Sequence, residues 1–210
     1  MSPPNVDRIV RYTAGTRINH WIVAISFVLV ALSGLALFHP ALFWLADLFG
    51  GGPWTRILHP FIGCVMAAAF YLLCVKVWRD NYLQDRDWTW LRRFNDVVAN
   101  REKDLPDVGR YNGGQKLLFF ILVVCLIVLV LSGIAMWRVY FAEFFSVGVI
   151  RAASLLHAFF AFVLIFAIII HVYAGIWVKG SIRAMTRGWV SPGWAWKHHR
   201  AWFREVGKSE

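Results

Sequence analysis

The sequence predicts an all-α membrane protein, a bundle of four transmembrane helices. Of its 210 residues, 59% are hydrophobic and 16% are charged. Soluble domains contain about 45–50% apolar residues even with glycine included, and about 25% charged residues. Four segments are apolar over the roughly 20 residues needed to cross a bilayer, and each must be helical because backbone groups cannot bond to lipid. This composition excludes a disordered protein and argues against an ordinary soluble enzyme.

The four predicted spans belong to one domain of residues 1–210. The first span carries no charged side chain after its opening Arg17, and the second carries only Lys76, close enough to its end for the ammonium group to reach the interface. The third is the most apolar, and the fourth, which is the longest, includes Arg151 near its start. The predicted spans are approximately residues 17–38, 57–78, 116–137 and 149–178. The middle loop is then residues 79–115, and the tail is residues 179–210.

The lysine and arginine residues predict the orientation of the chain. Of the 22, only Arg56, Arg138 and Arg151 lie on the side of the first and third connections between spans. All the others, including Lys103 in the middle loop and Lys208 in the tail, lie on the opposite side. Cytoplasmic segments carry the excess of such residues. We therefore expect both termini and the middle loop to be cytoplasmic, which explains the net charge of +10 without a role in nucleic-acid binding.

Aromatic residues predict how two of the polar regions are placed. In the middle loop, the apolar residues of segment 88–98 fall on one side of a helical wheel, which predicts a short helix on the inner membrane face. In the tail, tryptophans are mixed with basic residues. We expect the tail to rest on anionic lipid, with contact to a protein partner as the alternative.

Four histidines lie within the predicted spans, where ionisable residues indicate function. His157 and His171 are 14 residues apart, close to four full turns, so they share a helix face and lie about 21 Å apart along the axis. In the predicted orientation, His157 is near the outer surface and His171 near the inner one. His20 begins the first span at inner depth, and His59 begins the second at outer depth. Depth therefore pairs His20 with His171. It likewise pairs His59 with His157.

Two pairs of histidines from different helices at equal depth match two stacked b haems, each with one imidazole above and one below the ring. Zinc is a weaker interpretation because it takes three or four protein ligands. A proton relay would require carboxylates inside the spans, and there are none. With both axial positions filled, such haems carry electrons and do not bind substrate. The sequence contains no nucleotide-binding loop and no iron–sulfur cysteine motif, so the donor must be another subunit, and quinone is the natural acceptor in lipid.

A short internal repeat accompanies the outer pair. Residues 32–36 read Leu-Ser-Gly-Leu-Ala, and residues 131–135 read Leu-Ser-Gly-Ile-Ala. Gly34 and Gly133 lie near the ends of the first and third predicted spans, which places them at outer depth. A missing side chain there would let a flat macrocycle approach the backbone. Close packing of helices through small residues explains these glycines equally well.

Several longer motifs point to a protein family. They are residues 10–12, 17–21, 56–61, 109–112, 114–116, 171–173, 177–180, 194–199, 202 and 204–205. In these motifs the chain resembles the cytochrome b (gamma) subunit of respiratory formate dehydrogenases, and the resemblance covers nearly the whole chain. That family belongs to the wider group of dihaem cytochromes b.

The resemblance implies a membrane anchor and electron-transfer subunit that does not itself act on the substrate. In this family, the cytochrome subunit lies in the bacterial inner membrane. Its partners, an iron–sulfur subunit and a molybdenum or tungsten catalytic subunit, are on the periplasmic side. Electrons pass from the outer to the inner of two non-covalently bound b haems and reach menaquinone or ubiquinone near the cytoplasm. The alternatives are the cytochrome b subunit of a hydrogenase or another quinone-linked dehydrogenase, or a haem-free membrane anchor.

The resemblance also implies a quinone pocket beside the inner haem. The family's quinone motif matches Asn112 and Gln115, near the histidine that matches His171. Amide side chains suit this role because they can hydrogen-bond a quinone carbonyl. From the residues alone, Asn112 is better explained as a cap for the third span.

Overall fold

The computed structural model of the chain describes residues 8–99, 101 and 105–206. Lys103 and Lys208, which contribute to the predicted orientation, lie outside the described residues. The described chain is mainly helical and includes two short strands. In chain order, the strands and α-helices are β1 Ile9–Val10, α1 Ala14–Phe38, α2 Gly52–Val77, α3 Asp85–Arg92, α4 Phe94–Val98, α5 Gly113–Met136, α6 Val147–Trp177, α7 Ser181–Thr186, β2 Trp189–Val190, α8 Pro192–His198 and α9 Arg200–Val206.

Four of these helices, α1, α2, α5 and α6, are long and apolar enough to cross a membrane. The prediction of four membrane-spanning helices is thereby confirmed. Each helix begins two to five residues before the predicted span. Local sequence decides these starts, since Pro53 lies in the first turn of α2, where proline is favoured, and Asn112 caps α5.

The described chain divides into two compact units. The first, named here the core unit, contains residues 18–75 and 121–170. The second, the terminal unit, contains the described parts of residues 1–17, 76–120 and 171–210. The core unit thus holds most of each long helix, and the terminal unit holds the described residues that precede α1, form the middle loop and follow α6.

The core unit is held together by apolar packing and by hydrogen bonds between helices. Its buried cluster comes from α2, α5 and α6 and consists of Met66, Cys125, Leu126 and Leu164. In a bilayer, helices associate through close packing and polar contacts, because lipid is as apolar as the side chains themselves. Asn19 of α1 provides such a contact by donating from Nδ2 to the Ala69 carbonyl at 2.8 Å.

A 3₁₀ helix, Pro40–Phe49, joins α1 to α2 within the core unit. His39 caps its start, since His39 Nδ1 accepts a hydrogen bond from the Ala41 N–H at 3.2 Å. Its end is set by Gly50, whose φ of 86° lies in the left-handed region that glycine adopts without strain. His39, to which the sequence assigns no ligand role, therefore has a structural one.

In the terminal unit, the described part of the middle loop contains the two short α-helices α3 and α4, and the prediction of a single helix over residues 88–98 is wrong. The chain leaves the helical path at Arg93, with φ and ψ of −98° and 24°, between α3 and α4. A buried ion pair joins this loop to the start of α5, because Lys116 Nζ lies 2.7 Å from Asp87 Oδ2 and both side chains are 4% exposed. Removing either partner would leave a buried charge without compensation.

Segments from the N-terminal and C-terminal regions of the described chain also meet in the terminal unit. β1 and β2 form an antiparallel pair in which Ile9 lies opposite Val190. The buried apolar cluster around them consists of Ile9, Ala184, Val190, Ala195 and Trp202. For Trp202, the expectation that the tail rests on lipid is wrong, because this indole is 5% exposed and packs into the chain's own core.

Arg11 is the charged centre of this cluster. It is 3% exposed, and its guanidinium carbon lies 4.4 Å from the Trp202 ring centroid and 5.4 Å from that of Trp194. The guanidinium donates to the Arg110 carbonyl, and Arg110 donates back to the Arg11 carbonyl at 2.7 Å. Burial lowers the pKa of Arg11 below its usual value. Aromatic faces and carbonyl oxygens therefore stabilise this desolvated cation.

His199 lies beside Arg11 and is 2% exposed. Its Nδ1 is 2.8 Å from the Gly109 carbonyl, and its Nε2 is 3.4 Å from the Arg11 guanidinium. A carbonyl can only accept, so Nδ1 carries the hydrogen and Nε2 accepts from Arg11. Burial, and then the Arg11 charge, lower the pKa of His199 to about 3. The imidazole is therefore neutral in the folded protein at neutral pH.

We expect the terminal unit to lose stability as the pH falls below about 6.5, the usual histidine pKa. An unfolded His199 takes up a proton there, whereas the folded residue, with its pKa lowered to about 3, does not. Stability that is fully present above that pH is therefore lost progressively toward pH 3. The measurement is hydrogen exchange of residues 189–206 at several pH values, corrected for the intrinsic exchange rate.

Two glutamine variants provide the comparison for this pH dependence. His199→Gln should flatten it, because the titrating group is gone. His198→Gln removes the neighbouring histidine and should preserve it. The same pH dependence in the unmodified chain and in both variants would contradict the assignment to His199.

Candidate functional site

Two imidazoles face each other within the core unit. His59 lies on α2 and His157 lies on α6. Their ring centroids are 6.2 Å apart, and their planes are inclined by 62°. Both residues are half-buried. The structure thus brings together the pair that the sequence places at outer depth.

Each of these imidazoles hydrogen-bonds a serine on a third or fourth helix. Ser33 Oγ of α1 lies 2.8 Å from His59 Nδ1, and Ser132 Oγ of α5 lies 2.9 Å from His157 Nδ1. Ser33 is fully buried, and Ser132 is 6% exposed. With Nδ1 engaged on both rings, Nε2 is the nitrogen available to a metal.

Gly34 and Gly133 provide the space that the imidazoles occupy. A Cβ atom at Gly34 would lie 3.2 Å from His59 Cε1, and one at Gly133 would lie 3.4 Å from His157 Cε1. The glycines therefore contact the two imidazole rings. Their contact with a macrocycle stays a prediction.

The donor set of the core unit fits a haem iron. Metal–imidazole bonds are about 2 Å long, so two rings on one iron have centroids about 6 Å apart once the ring radii are added, which is close to the observed 6.2 Å. Among the residues that the structure describes, no group of three or more histidine, cysteine, aspartate or glutamate side chains is placed to hold a metal ion. Zinc would need such a group. Two facing imidazoles therefore match axial haem ligation better than a zinc site.

His20 and His171, the pair predicted at inner depth, belong to different units. His20 lies on α1 in the core unit, and its ring meets the Trp21 indole edge-on at a centroid distance of 5.8 Å. His171 lies on α6 in the terminal unit. Their pairing stays a prediction from the sequence.

Asn112 and Gln115 form the N-terminal cap of α5. Asn112 Oδ1 accepts a hydrogen bond from the Gln115 N–H at 2.8 Å, and Gln115 Oε1 accepts one from the Asn112 N–H at 3.0 Å. This reciprocal arrangement is a capping box, so the interpretation of Asn112 as a helix cap is confirmed. The cap uses the two amide oxygens, and each side-chain NH2 group can still donate to a ligand carbonyl. The quinone role of both residues stays a prediction.

Comparison with known proteins adds the family. Residues 11–188 match the family model described as prokaryotic cytochrome b561. The chain belongs to this family. Membership implies that the protein binds haem b, and the four apolar helices agree with a multi-pass bacterial membrane protein.

Relatives of this cytochrome align over almost the whole chain. The formate dehydrogenase cytochrome b556(fdo) subunit of Escherichia coli strain K12 is 47% identical over 97% of this chain and 95% of its own length. The nitrate-inducible formate dehydrogenase cytochrome b556(Fdn) subunit of the same strain is 43% identical, over 96% and 93%. The formate dehydrogenase cytochrome b556 subunit of Haemophilus influenzae is 41% identical, over 96% and 84%. The resemblance inferred from the sequence motifs is confirmed.

The two serines of this cytochrome b561 are the site residues that the sequence interpretation missed. The internal repeat directed attention to the glycines, although each serine precedes one of them. A serine within a helix usually bonds to a carbonyl one turn earlier, so nothing local indicates a histidine partner. The available signal was the coincidence of each repeat with a histidine, 26 residues after Ser33 and 25 after Ser132.

We expect Gly34→Ala to weaken haem binding in this cytochrome. The added methyl group would press on the His59 ring, because the new Cβ would lie 3.2 Å from Cε1. Gly63→Ala on α2 is the matched control, since nothing lies within 4 Å of its Cβ position and alanine favours a helix over glycine by about 1 kcal/mol. The measurement is the ratio of haem to protein after purification and mild heating. Equal haem retention in the two variants would argue against a role for Gly34.

Proposed function

We propose that the chain is the membrane anchor and electron-transfer subunit of a formate dehydrogenase complex. The observation that carries the proposal is the facing pair of His59 and His157, with ring centroids 6.2 Å apart, in a chain that aligns with formate dehydrogenase cytochrome b556 subunits over nearly its full length. The chain itself does not act on formate. A molybdenum or tungsten catalytic subunit passes electrons to an iron–sulfur subunit. The chain receives the electrons from that iron–sulfur subunit and passes them to quinone.

Two b haems carry the electrons in this proposal. His59 and His157 hold the outer haem. His20 and His171 hold the inner one, which the 14-residue spacing of His157 and His171 on one helix supports. When bound, each haem supplies an iron that takes up and releases one electron and, with both axial positions filled, binds no substrate.

The direction of transfer follows from a cytoplasmic location of both termini. The distribution of cations supports this location, since only Arg56, Arg138 and Arg151 lie on the other side. His59 and His157 are then near the periplasm, where the iron–sulfur subunit delivers electrons. An electron that moves inward crosses a field of about 2.3 kcal/mol per charge per 100 mV. Inward transfer therefore stores part of the energy of formate oxidation as membrane potential.

Quinone is reduced near the start of α5 in this proposal. Asn112 and Gln115 donate hydrogen bonds from their NH2 groups to the quinone carbonyls. Their capping box supports the role, because it holds both amides at one place through the side-chain oxygens, at 2.8 and 3.0 Å. The NH2 donors are then available without loss of the helix cap.

Alanine substitution of single histidines tests the haem assignment. We expect His59→Ala and His157→Ala to remove one and the same haem, because its iron needs both imidazoles. We expect His20→Ala and His171→Ala to remove the other. His39→Ala is the matched control and should keep both haems, since His39 caps the 3₁₀ helix. The measurement is the dithionite-reduced minus oxidised spectrum of the purified complex, with haem quantified per protein.

Two outcomes would contradict this assignment. Loss of the same spectral component in His20→Ala and His59→Ala would show that the pairing by depth is wrong. A complex with no b-haem bands would show that the subunit is a haem-free anchor.

If Asn112 and Gln115 bind quinone, their substitution should lower the affinity for quinone. A role as helix cap alone predicts no such loss. Loss of one hydrogen bond should cost about 1–3 kcal/mol of quinone binding, or about five- to hundred-fold in affinity. Gln115→Ala should therefore slow quinone reduction while both haems remain reducible by formate. Asn112→Ser separates the two roles, because serine keeps the N-cap oxygen and has no NH2 group. Normal quinone kinetics in Asn112→Ser and Gln115→Ala would remove both residues from the quinone site.

A further inference from the structure

Each of the two serine hydroxyls has a backbone carbonyl within reach that can accept its hydrogen. Ser33 Oγ donates to the Val30 carbonyl at 3.1 Å, and Ser132 Oγ donates to the Val128 carbonyl at 2.6 Å. A serine hydroxyl has one hydrogen. Once this hydrogen is given to a carbonyl, the oxygen can only accept from the imidazole Nδ1. Each of the two rings can therefore donate to its serine from Nδ1.

The serine hydroxyls contact Nδ1 on both rings, at 2.8 Å for His59 and 2.9 Å for His157. An imidazole that donates from Nδ1 is the Nδ1–H tautomer. The lone pair is then on Nε2, as an iron ligand requires.

We propose that Ser33 and Ser132 are matched positioning residues that hold the two axial imidazoles in the Nδ1–H tautomer and lower the midpoint potential of the outer haem. The proposal rests on the proposed function, in which His59 and His157 bind that haem. A hydrogen bond donated from Nδ1 makes the imidazole a stronger electron donor to a metal. A stronger axial donor stabilises ferric over ferrous iron, so hydrogen bonding of this kind lowers a haem potential.

The duplication of the arrangement is a separate reason to assign it a role. A Ser-Gly pair on α1 serves His59, and a Ser-Gly pair on α5 serves His157. The serine–imidazole distances are 2.8 and 2.9 Å, and the glycine Cβ positions are 3.2 and 3.4 Å from the ring carbons. Two helix pairs thus present imidazoles with the same hydrogen bond and the same backbone contact. The two ligands of one iron are then equivalent electron donors.

Ser26 is the matched control within the same helix as Ser33. It is 5% exposed, and its Oγ donates to the Ile22 carbonyl at 2.6 Å and to the Val23 carbonyl at 3.1 Å. Ser33 and Ser132 make bonds of the same kind to carbonyls one turn earlier. Both of the Ser26 bonds stay within α1. Its replacement by alanine therefore removes an equally buried, back-bonded hydroxyl without touching His59 or His157.

Redox titration of the purified complex tests the proposal. Ser33→Ala and Ser132→Ala should each raise the midpoint potential of the haem that His59→Ala removes. At a fixed applied potential, the ratio of reduced to oxidised iron in that haem should rise by about two- to tenfold, the effect of one net hydrogen bond. The low-spin ferric EPR signal of the same haem should shift, and the other haem should be unchanged. Ser26→Ala should alter neither haem.

Threonine variants keep the test decisive if the alanine variants lose haem. Ser33→Thr and Ser132→Thr retain a hydroxyl and should restore both the haem content and the native potential. Full haem content with an unshifted potential and EPR signal in both alanine variants would overturn the proposal. Equal haem loss in the alanine, threonine and Ser26→Ala variants would also overturn it, because the serines would then act only in folding. Failure of the proposed function is a different result, namely full haem content in His59→Ala.

Discussion

A polar side chain within a membrane-spanning helix needs a polar partner, because lipid offers none. For Asn19, Ser33 and Ser132 in the core unit, this requirement is met by a group on another helix. The amide of Asn19 reaches a carbonyl of α2, and the hydroxyls of Ser33 and Ser132 reach the imidazoles of His59 and His157. These contacts define where the long helices meet. In the proposed function they also leave Nε2 of each ring to the haem iron, so one constraint serves both packing and chemistry.

In the terminal unit, a single buried charge links segments that are far apart in the sequence. Arg11 follows β1, and its guanidinium contacts aromatic rings of the tail and the carbonyl of Arg110. Aromatic faces and carbonyl oxygens stabilise a cation without introducing a buried carboxylate, whose own desolvation would be unfavourable. His199 completes the cluster as a neutral acceptor beside the charge. Aromatic residues of the tail and His199 thus contribute to the internal packing of the terminal unit.

The proposed function gives several residues of this cytochrome a second role beside a structural one. Asn112 and Gln115 cap α5 with their oxygens and have NH2 groups left for a ligand. Because Gly34 and Gly133 have no side chain, an imidazole ring lies close to the helix backbone at each of them. Because a cap or a small residue is explained by packing alone, such residues reveal a second role only when the atoms that remain available are considered.

The sequence by itself determined the number of long helices and their order, and it predicted that His59 and His157 lie at one depth, where the structure brings them together. Apolar length and the 3.6-residue period are local properties, and lipid allows the backbone little choice other than a helix. Tertiary structure alone decided that Ser33 and Ser132 bond to imidazoles, that Arg93 interrupts the middle-loop helix, and that Trp202 packs inward. The serine–imidazole contacts join residues 26 and 25 positions apart, and Trp202 packs in one cluster with Ile9 from the other end of the described chain. The periodicity of a sequence does not identify the hydrogen-bond or packing partner of a side chain. Hydroxyl, guanidinium and indole groups each have alternative partners in the helix, in lipid headgroups or in water.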